Sequence, residues 1–168
     1  MKTATHGLIV LGLFLLVAGC KPSHRIYFKP AKISIDLAER WKRLDLPATP
    51  PVCSPRLINK GGRITALSLD GFTDIERATD MLQERFTMTT KAMPDSFQRE
   101  DFTSDSGLRG IHLSYSTWSL NGQTPDARSH SFVTQNRQGK CVSISYITSP
   151  DHESAAVLEA IRKTLRVE

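Results

Sequence analysis

The stretch Leu108–Trp118, LRGIHLSYSTW, decides the fold class of this 168-residue chain. Apolar side chains fall on Ile111, Leu113 and Tyr115, while the positions from His112 to Trp118 that alternate with them carry His, Ser, Ser and Trp. An apolar side chain at every second position is typical of a β-strand with one face against a core. The stretch therefore predicts a long strand with a polar face and an apolar face.

Further segments of the same kind lie on both sides of this strand. Ser129–Gln135 and Cys141–Thr148 alternate similarly and flank the turn residues Arg137-Gln138-Gly139, which predicts a β-hairpin. Upstream strands are predicted at Ile33–Leu37, Arg63–Leu69 and Ser96–Thr103. The strand count is therefore about six.

Two helices are expected from apolar residues at helical spacing. In the first, running to Phe86, Thr73 and Glu76 have the spacing of a capping box. In the second, Ser149 is the expected N-cap and Pro150 occupies the first helical position. Both helices have one apolar face that must pack against another element.

These elements predict an α+β fold: an antiparallel sheet of about six strands with the helices packed on one face. The other face of the sheet is expected to be solvated and rich in small polar side chains. Its expected residues are His112, Ser114, Ser116, Trp118, Ser143 and Ser145.

The first residues of the chain have the features of a secretory signal. Gly7–Val17 is an apolar run, too short for a permanent transmembrane helix, and it precedes Val17-Ala18-Gly19-Cys20. This sequence matches the lipobox of bacterial lipoproteins. The match implies that the chain is cleaved before Cys20 and that Cys20 carries a lipid whose acyl chains include palmitate. We expect a signal peptide at 1–19, a lipidated tether at 20–32 and one globular domain at 33–168. An ordinary signal peptide with a chance cysteine is the alternative.

The tether indicates where the protein resides. Lys21 rather than Asp follows the lipidated residue, which resembles lipoproteins sorted to the outer membrane, facing the periplasm. Basic residues of the tether, from Lys21 to Lys32, gain about 1 kcal/mol each beside an anionic membrane. A merely solubilising role for these charges is the alternative.

Lipidation of Cys20 leaves two further cysteines, Cys53 and Cys141. In an oxidising periplasm such a pair is expected to form a disulfide. The long loop that it closes would contribute roughly 4–5 kcal/mol.

Charge and motifs exclude several classes of function. The net charge of +5 is small and scattered, whereas a nucleic-acid-binding protein has a concentrated basic patch. No Gly-x-Ser-x-Gly elbow or glycine-rich phosphate loop is present. His112 and His130 lack the third ligand that a zinc site needs. We expect neither an enzyme nor a resident cofactor or metal.

The order of the elements resembles the PsbP/DcrB-like family. The similarity rests on a first strand leading to Trp41, the helix 73–86, the strand Gly110–Tyr115, a hairpin and a terminal helix that runs into Leu165–Glu168. The resemblance spans roughly residues 33–168 and is one of pattern. It implies an α/β/α sandwich used mostly for protein binding, without shared catalytic residues.

The sequence thus predicts a membrane-tethered periplasmic protein that binds a protein partner as an accessory or assembly factor. An immunity protein or inhibitor of a toxin or cell-wall hydrolase is the first alternative, and a carrier of a small apolar ligand is the second. Tryptophan and arginine often dominate interfaces, so the expected binding residues surround Trp118. They are Arg109, His112, Trp118, Arg128 and His130.

Overall fold

The structure is a computed structural model that describes residues 24–38, 40–45, 47, 51–89, 91–118 and 125–168. The predicted signal peptide, Cys20 and Lys21 lie outside the described residues. Within the described residues, no helix is long and apolar enough to span a membrane.

Within the part of the chain that the structure describes, seven strands form one large sheet. They are β3 (Lys42–Leu44), β4 (Arg56–Ile58), β5 (Gly62–Leu69), β6 (Gln98–Thr103), β7 (Arg109–Trp118), β8 (Pro125–Gln135) and β9 (Cys141–Thr148). Their order is β3-β4-β5-β9-β8-β7-β6, and every neighbouring pair is antiparallel. The predicted hairpin is therefore confirmed as β8–β9, at the centre of the sheet, with Gly139 at a φ of +72° in its turn.

Three further strands in the described ranges form a second sheet in the order β1-β2-β10: β1 (His24–Phe28), β2 (Ile33–Leu37) and β10 (Arg166–Val167). The assignment of residues 20–32 to a tether is wrong for β1, which pairs with β2 over its full length. Ile26 and Phe28 point inward, and Phe28 is fully buried, so hydrophobic packing holds this segment in the domain.

The helices are α1 (Ile75–Thr89) and α2 (Ala155–Thr164), with short 3-10 helices at Pro94–Ser96 and Pro150–His152. In both helices, the residue that caps the N-terminus differs from the predicted one. Asp74, rather than Thr73, accepts a hydrogen bond from the Arg77 N–H at 2.8 Å. Ser154 caps α2 because the residues after Ser149 first close the 3-10 turn.

The two helices cover opposite faces of the large sheet. On the α1 face, Ala78 and Leu82 of α1 pack with Leu113 and Val133. On the α2 face, α2 and the three-stranded sheet cover another cluster, which includes Ile64, Ile144 and Tyr146. The α+β class and the α/β/α sandwich are confirmed, but the expectation that both helices pack on one face is wrong. Apolar residues alternate onto both faces of the central strands, so each face needs its own cover.

The expected solvated serine face is absent from the described sheet. Ser143 and Ser145 are buried on the α1 face, whereas Ser114 is buried on the α2 face and Ser116 is half-buried. The register shows the difference, because Ser114 pairs with His130 while Ser145 pairs with Ser131. The alternation within each strand predicted which of its residues share a face. It did not predict which residues of neighbouring strands lie on that same face.

Candidate functional site

Three of the five predicted binding residues lie together on the α2 face of the sheet. His112 comes from β7, and Arg128 and His130 come from β8; we call these three residues the histidine–arginine cluster. Ser114 pairs with His130 and Ser116 with Arg128, so the three side chains project from neighbouring positions on the same face. Strand pairing thus unites residues that are far apart in the sequence.

The two histidines contact each other directly. His112 Nε2 lies 3.1 Å from His130 Nδ1, and the rings are stacked with centroids 5.3 Å apart. A nitrogen–nitrogen hydrogen bond needs one donor and one acceptor, so at least one ring must be neutral. The His112 ring also stacks on Phe132, with centroids 4.4 Å apart. The aromatic surroundings favour uncharged rings.

Burial lowers the pKa of both histidines. His130 is 3% exposed, and its pKa falls to about 3 because burial disfavours the imidazolium and because His112 and Arg128 repel it. The pKa of His112 is lowered mainly by burial, while Glu100 opposes the shift and Arg162 and Arg128 add to it. Both rings are therefore neutral at neutral pH.

Two carboxylates lie at the ends of the histidine pair. Glu153 Oε1 is 3.1 Å from His130 Nε2, although the pair is not aligned as a hydrogen bond. At the other end, Glu100 Oε2 is 3.9 Å from His112 Nδ1, and the Glu100 side chain is 67% exposed. The two carboxylates favour opposite directions of the histidine–histidine hydrogen bond, since Glu153 attracts a proton on His130 Nε2 and Glu100 attracts one on His112 Nδ1. Either tautomer leaves one donor and one acceptor at the contact.

Arg128 is the charged member of the cluster. Its Nη1 donates to Ser116 Oγ at 3.4 Å, and its Nη2 donates to Gln98 Oε1 at 3.2 Å. Its Nε is buried without a hydrogen-bond partner, and among the described residues no carboxylate lies within ion-pair distance of it. Within the described residues, the hydrogen-bond partners of the half-buried guanidinium are therefore all uncharged.

The other two predicted residues lie at opposite ends of β7. Trp118 pairs with Pro125 just beyond the Ser116–Arg128 pair, after a register shift, so it lies at the same end of the sheet as Arg128. Arg109 is at the other end, where it lines a cavity of about 390 Å³ with Glu76 and Asp101. The structure thus brings Trp118, but not Arg109, to the end of the sheet that holds Arg128.

Sequence reasoning missed Gln98 and Glu153 as members of this region. Gln98 lies opposite Ser114 on edge strand β6, and Glu153 follows the 3-10 helix at Pro150–His152. The sequence around Glu153 indicates only a helix-terminal charge. Alternation in β6 could have indicated Gln98, whereas no local signal places Glu153 beside His130.

The predicted disulfide between Cys53 and Cys141 is wrong, since both thiols are buried and neither is bonded to another cysteine of the described residues. The Cys53 N–H bonds to Ala66 O of β5, while Cys141 pairs with Leu69 from the opposite side of that strand. Cys53 belongs to the cluster on the α2 face and Cys141 to the one on the α1 face. Strand β5 and two different cores separate the two thiols.

No group of three or more His, Cys, Asp or Glu residues in the described ranges is placed to hold a metal ion. His112 and His130 point their facing nitrogens at each other. In this arrangement, the nitrogen lone pair that faces the other ring accepts the hydrogen bond between the two histidines.

Comparison with solved structures identifies the architecture as a PsbP-like fold. The chain is similar to the solution structure of cyanobacterial PsbP (CyanoP) from Synechocystis sp. PCC 6803, with a TM-score of 0.58 and 15% sequence identity. The match covers 90% of this chain and 96% of that chain. No protein-family model matches the sequence, and no curated protein matches it. The similarity is therefore one of fold.

Proposed function

We propose that this chain is a non-catalytic lipoprotein of the bacterial envelope that binds a protein partner through the histidine–arginine cluster. Its anchor is a lipid on Cys20, and its location is the outer membrane, facing the periplasm. The lipobox Val17–Cys20 supports the anchor. The PsbP-like fold and the family resemblance support protein binding as an accessory or assembly factor.

The half-buried charge of Arg128 carries the proposal. A guanidinium held by Ser116 and Gln98 has lost part of its hydration, and no carboxylate of the described residues compensates it. A carboxylate from a partner would form a charge-assisted hydrogen bond at this position. Arginine in such a setting is enriched among residues that dominate binding energy. Trp118, at the same end of the sheet, supplies apolar contact area.

The state of the histidines supports a binding role over an acid–base role. A general base works best when its pKa lies near the operating pH, whereas the pKa of His130 is about 3. Neutral histidines also leave Arg128 as the positive charge of the cluster. The cluster therefore presents one fixed charge to a partner near neutral pH.

The anchor is tested by expressing the full chain in a Gram-negative host and measuring the mass of the mature protein. We expect a membrane-bound protein whose first residue is acylated Cys20, and a Cys20→Ser variant that carries no acyl group. A wild-type chain without the acyl mass would contradict the proposed anchor.

The partner is tested by photo-crosslinking in intact cells. A photoreactive residue replaces exposed Glu100, beside the cluster, and a matched probe replaces exposed Thr87 on α1, on the opposite side of the sheet. We expect a discrete protein adduct from position 100 that is lost in an Arg128→Gln background. Identical adducts from both positions, or an adduct unaffected by Arg128→Gln, would contradict docking at the cluster.

A further inference from the structure

The outer face of the three-stranded sheet carries basic residues close to the proposed anchor. Ile26 and Phe28 of β1 point into the core, so Arg25 and Tyr27 point outward, with Lys29 continuing the alternation. In the register, Tyr27 pairs with Ser34, and Ser34 pairs with Arg166, which places Arg166 on the same face. We call this surface, with Lys32 from the β1–β2 turn, the β1 face.

The β1 face has an excess of positive charge. Its basic residues are Arg25, Lys29, Lys32 and Arg166, and its carboxylates are Asp36 and Glu168. Arg25 lies 3.0 Å and Arg166 lies 3.7 Å from the single carboxylate of Asp36. Glu168 accepts a hydrogen bond from Ser34 Oγ. Lys29 and Lys32 are exposed, with no ion pair among the described residues.

The chain between the proposed lipid and this face is short. Three residues, Lys21 to Ser23, separate Cys20 from His24, the first residue of β1. Fully extended, that connection spans about 14 Å. Five cross-strand pairs with β2 hold β1 in the domain, so residues 24–28 do not lengthen the flexible connection to Cys20. A lipid on Cys20 would therefore keep His24, at the start of β1, within about one to two Debye lengths of the headgroups. Lys29 is roughly 17 Å further along the strand, so it reaches the headgroups when β1 lies along the membrane surface.

We infer that the β1 face lies against an anionic phospholipid surface, so that the anchored domain has a fixed orientation on the membrane. This inference rests on the proposed lipid anchor at Cys20. Near such a surface each basic residue strengthens association by about fivefold. Tyr27, which is 46% exposed, adds an amphipathic ring of the kind enriched at membrane interfaces. The helix α1, on the far side of the large sheet, then faces away from the membrane.

Amine-reactive footprinting of the acylated full chain tests this orientation. The protein is reconstituted into vesicles of phosphatidylcholine with or without phosphatidylglycerol, and lysine labelling is measured by mass spectrometry. We expect Lys29 and Lys32 to react several-fold more slowly with phosphatidylglycerol present, and exposed Lys91, after α1, to react equally in both. High salt should restore the labelling of Lys29 and Lys32. Labelling of these two lysines that matches Lys91 under all conditions would overturn the inference.

A matched pair of double variants separates local charge from total charge. Lys29→Gln/Lys32→Gln should abolish the protection of Tyr27 against hydroxyl-radical oxidation in the anionic vesicles. Lys60→Gln/Lys91→Gln removes the same charge from other exposed sites and should leave Tyr27 protected. Equal effects of the two variants would overturn the inference. The acyl mass on Cys20, measured on the same samples, shows separately whether the anchor itself has failed.

Discussion

His112 and His130, on neighbouring central strands, share a 3.1 Å contact between Nε2 and Nδ1 inside the α2 face of the sheet. This contact places two titratable rings next to the guanidinium of Arg128. Protonation of either ring would put a second positive charge into a largely buried space, while Glu153 and Glu100 offer partial compensation at its two ends. The pair therefore couples the stability of the fold to pH.

Stability should fall as the pH is lowered from about 6.5 towards 3. His130 stays neutral in the folded protein down to a pKa of about 3, whereas an unfolded histidine protonates near 6.5. The unfolded chain therefore binds more protons in this window, and the free energy of unfolding decreases by up to about 1.4 kcal/mol per pH unit for this residue. Urea unfolding at pH 7 and pH 5 measures the slope.

The control for this prediction is a pair of histidine variants. His130→Gln should flatten the slope between pH 7 and 5, while the same change at exposed His24 should keep the wild-type slope. If His130→Gln loses stability on acidification as steeply as the wild type does, His130 does not carry the effect.

Removing the Ser143 hydroxyl should cost little, whereas removing that of Ser131 should destabilise. Among the described residues Ser143 Oγ has no hydrogen-bond partner although it is buried, but Ser131 Oγ and Ser145 Oγ bond to each other at 2.9 Å. Ser131→Ala leaves a buried hydroxyl unpaired, which costs about 1–3 kcal/mol. Denaturant unfolding of Ser143→Ala and Ser131→Ala compares the two, and equal losses would refute the difference in pairing.

Gly110→Ala should be among the most destabilising single changes in the sheet. A Cβ at this position would lie 2.2 Å from Val133 O and 2.6 Å from the Phe102 ring. Relief requires the backbone of β8 or a buried ring to move, and we expect a cost of about 3 kcal/mol or more, at the upper end of the range for overpacked cores. Thermal unfolding measures the loss.

Gly71→Ala is the matched control for Gly110→Ala. Gly71 has a φ of +95°, and no atom of the described residues lies within 4 Å of an added methyl group, so only backbone strain of about 1–2 kcal/mol is expected. A loss at Gly71 equal to that at Gly110 would mean that the contact with Val133 and Phe102 is not the cause.

Cys53 and Cys141 should behave as two independent buried thiols. Unreduced protein unfolded in denaturant should take up alkylating reagent at both positions, and a reductant should leave the unfolding midpoint unchanged. Because the two thiols lie in separate clusters, the losses caused by Cys53→Ala and Cys141→Ala should add in the double variant. A midpoint that falls on reduction would instead indicate a disulfide.

Local sequence patterns determined most of the segments that form strands and both of the segments that form the described helices. The predicted strands Ile33–Leu37 and Cys141–Thr148 have the bounds that the structure has, because alternation and turn residues act over a few positions. The predicted starts of the helices were less accurate than the predicted strand bounds. Several Ser, Thr and Asp residues near each start can act as the N-cap, and the three-dimensional context selects one of them.

The sequence by itself therefore determined the α+β class, most strands, both helices and the polar character of His112, Arg128 and His130. Only the tertiary structure decided that the helices take opposite faces, that β1 joins the domain, and that Cys53 and Cys141 stay apart. The physical reason is that alternation assigns side chains to two sides of one strand. Register with distant strands then decides which side chains meet, and burial of apolar surface on both faces fixes that register.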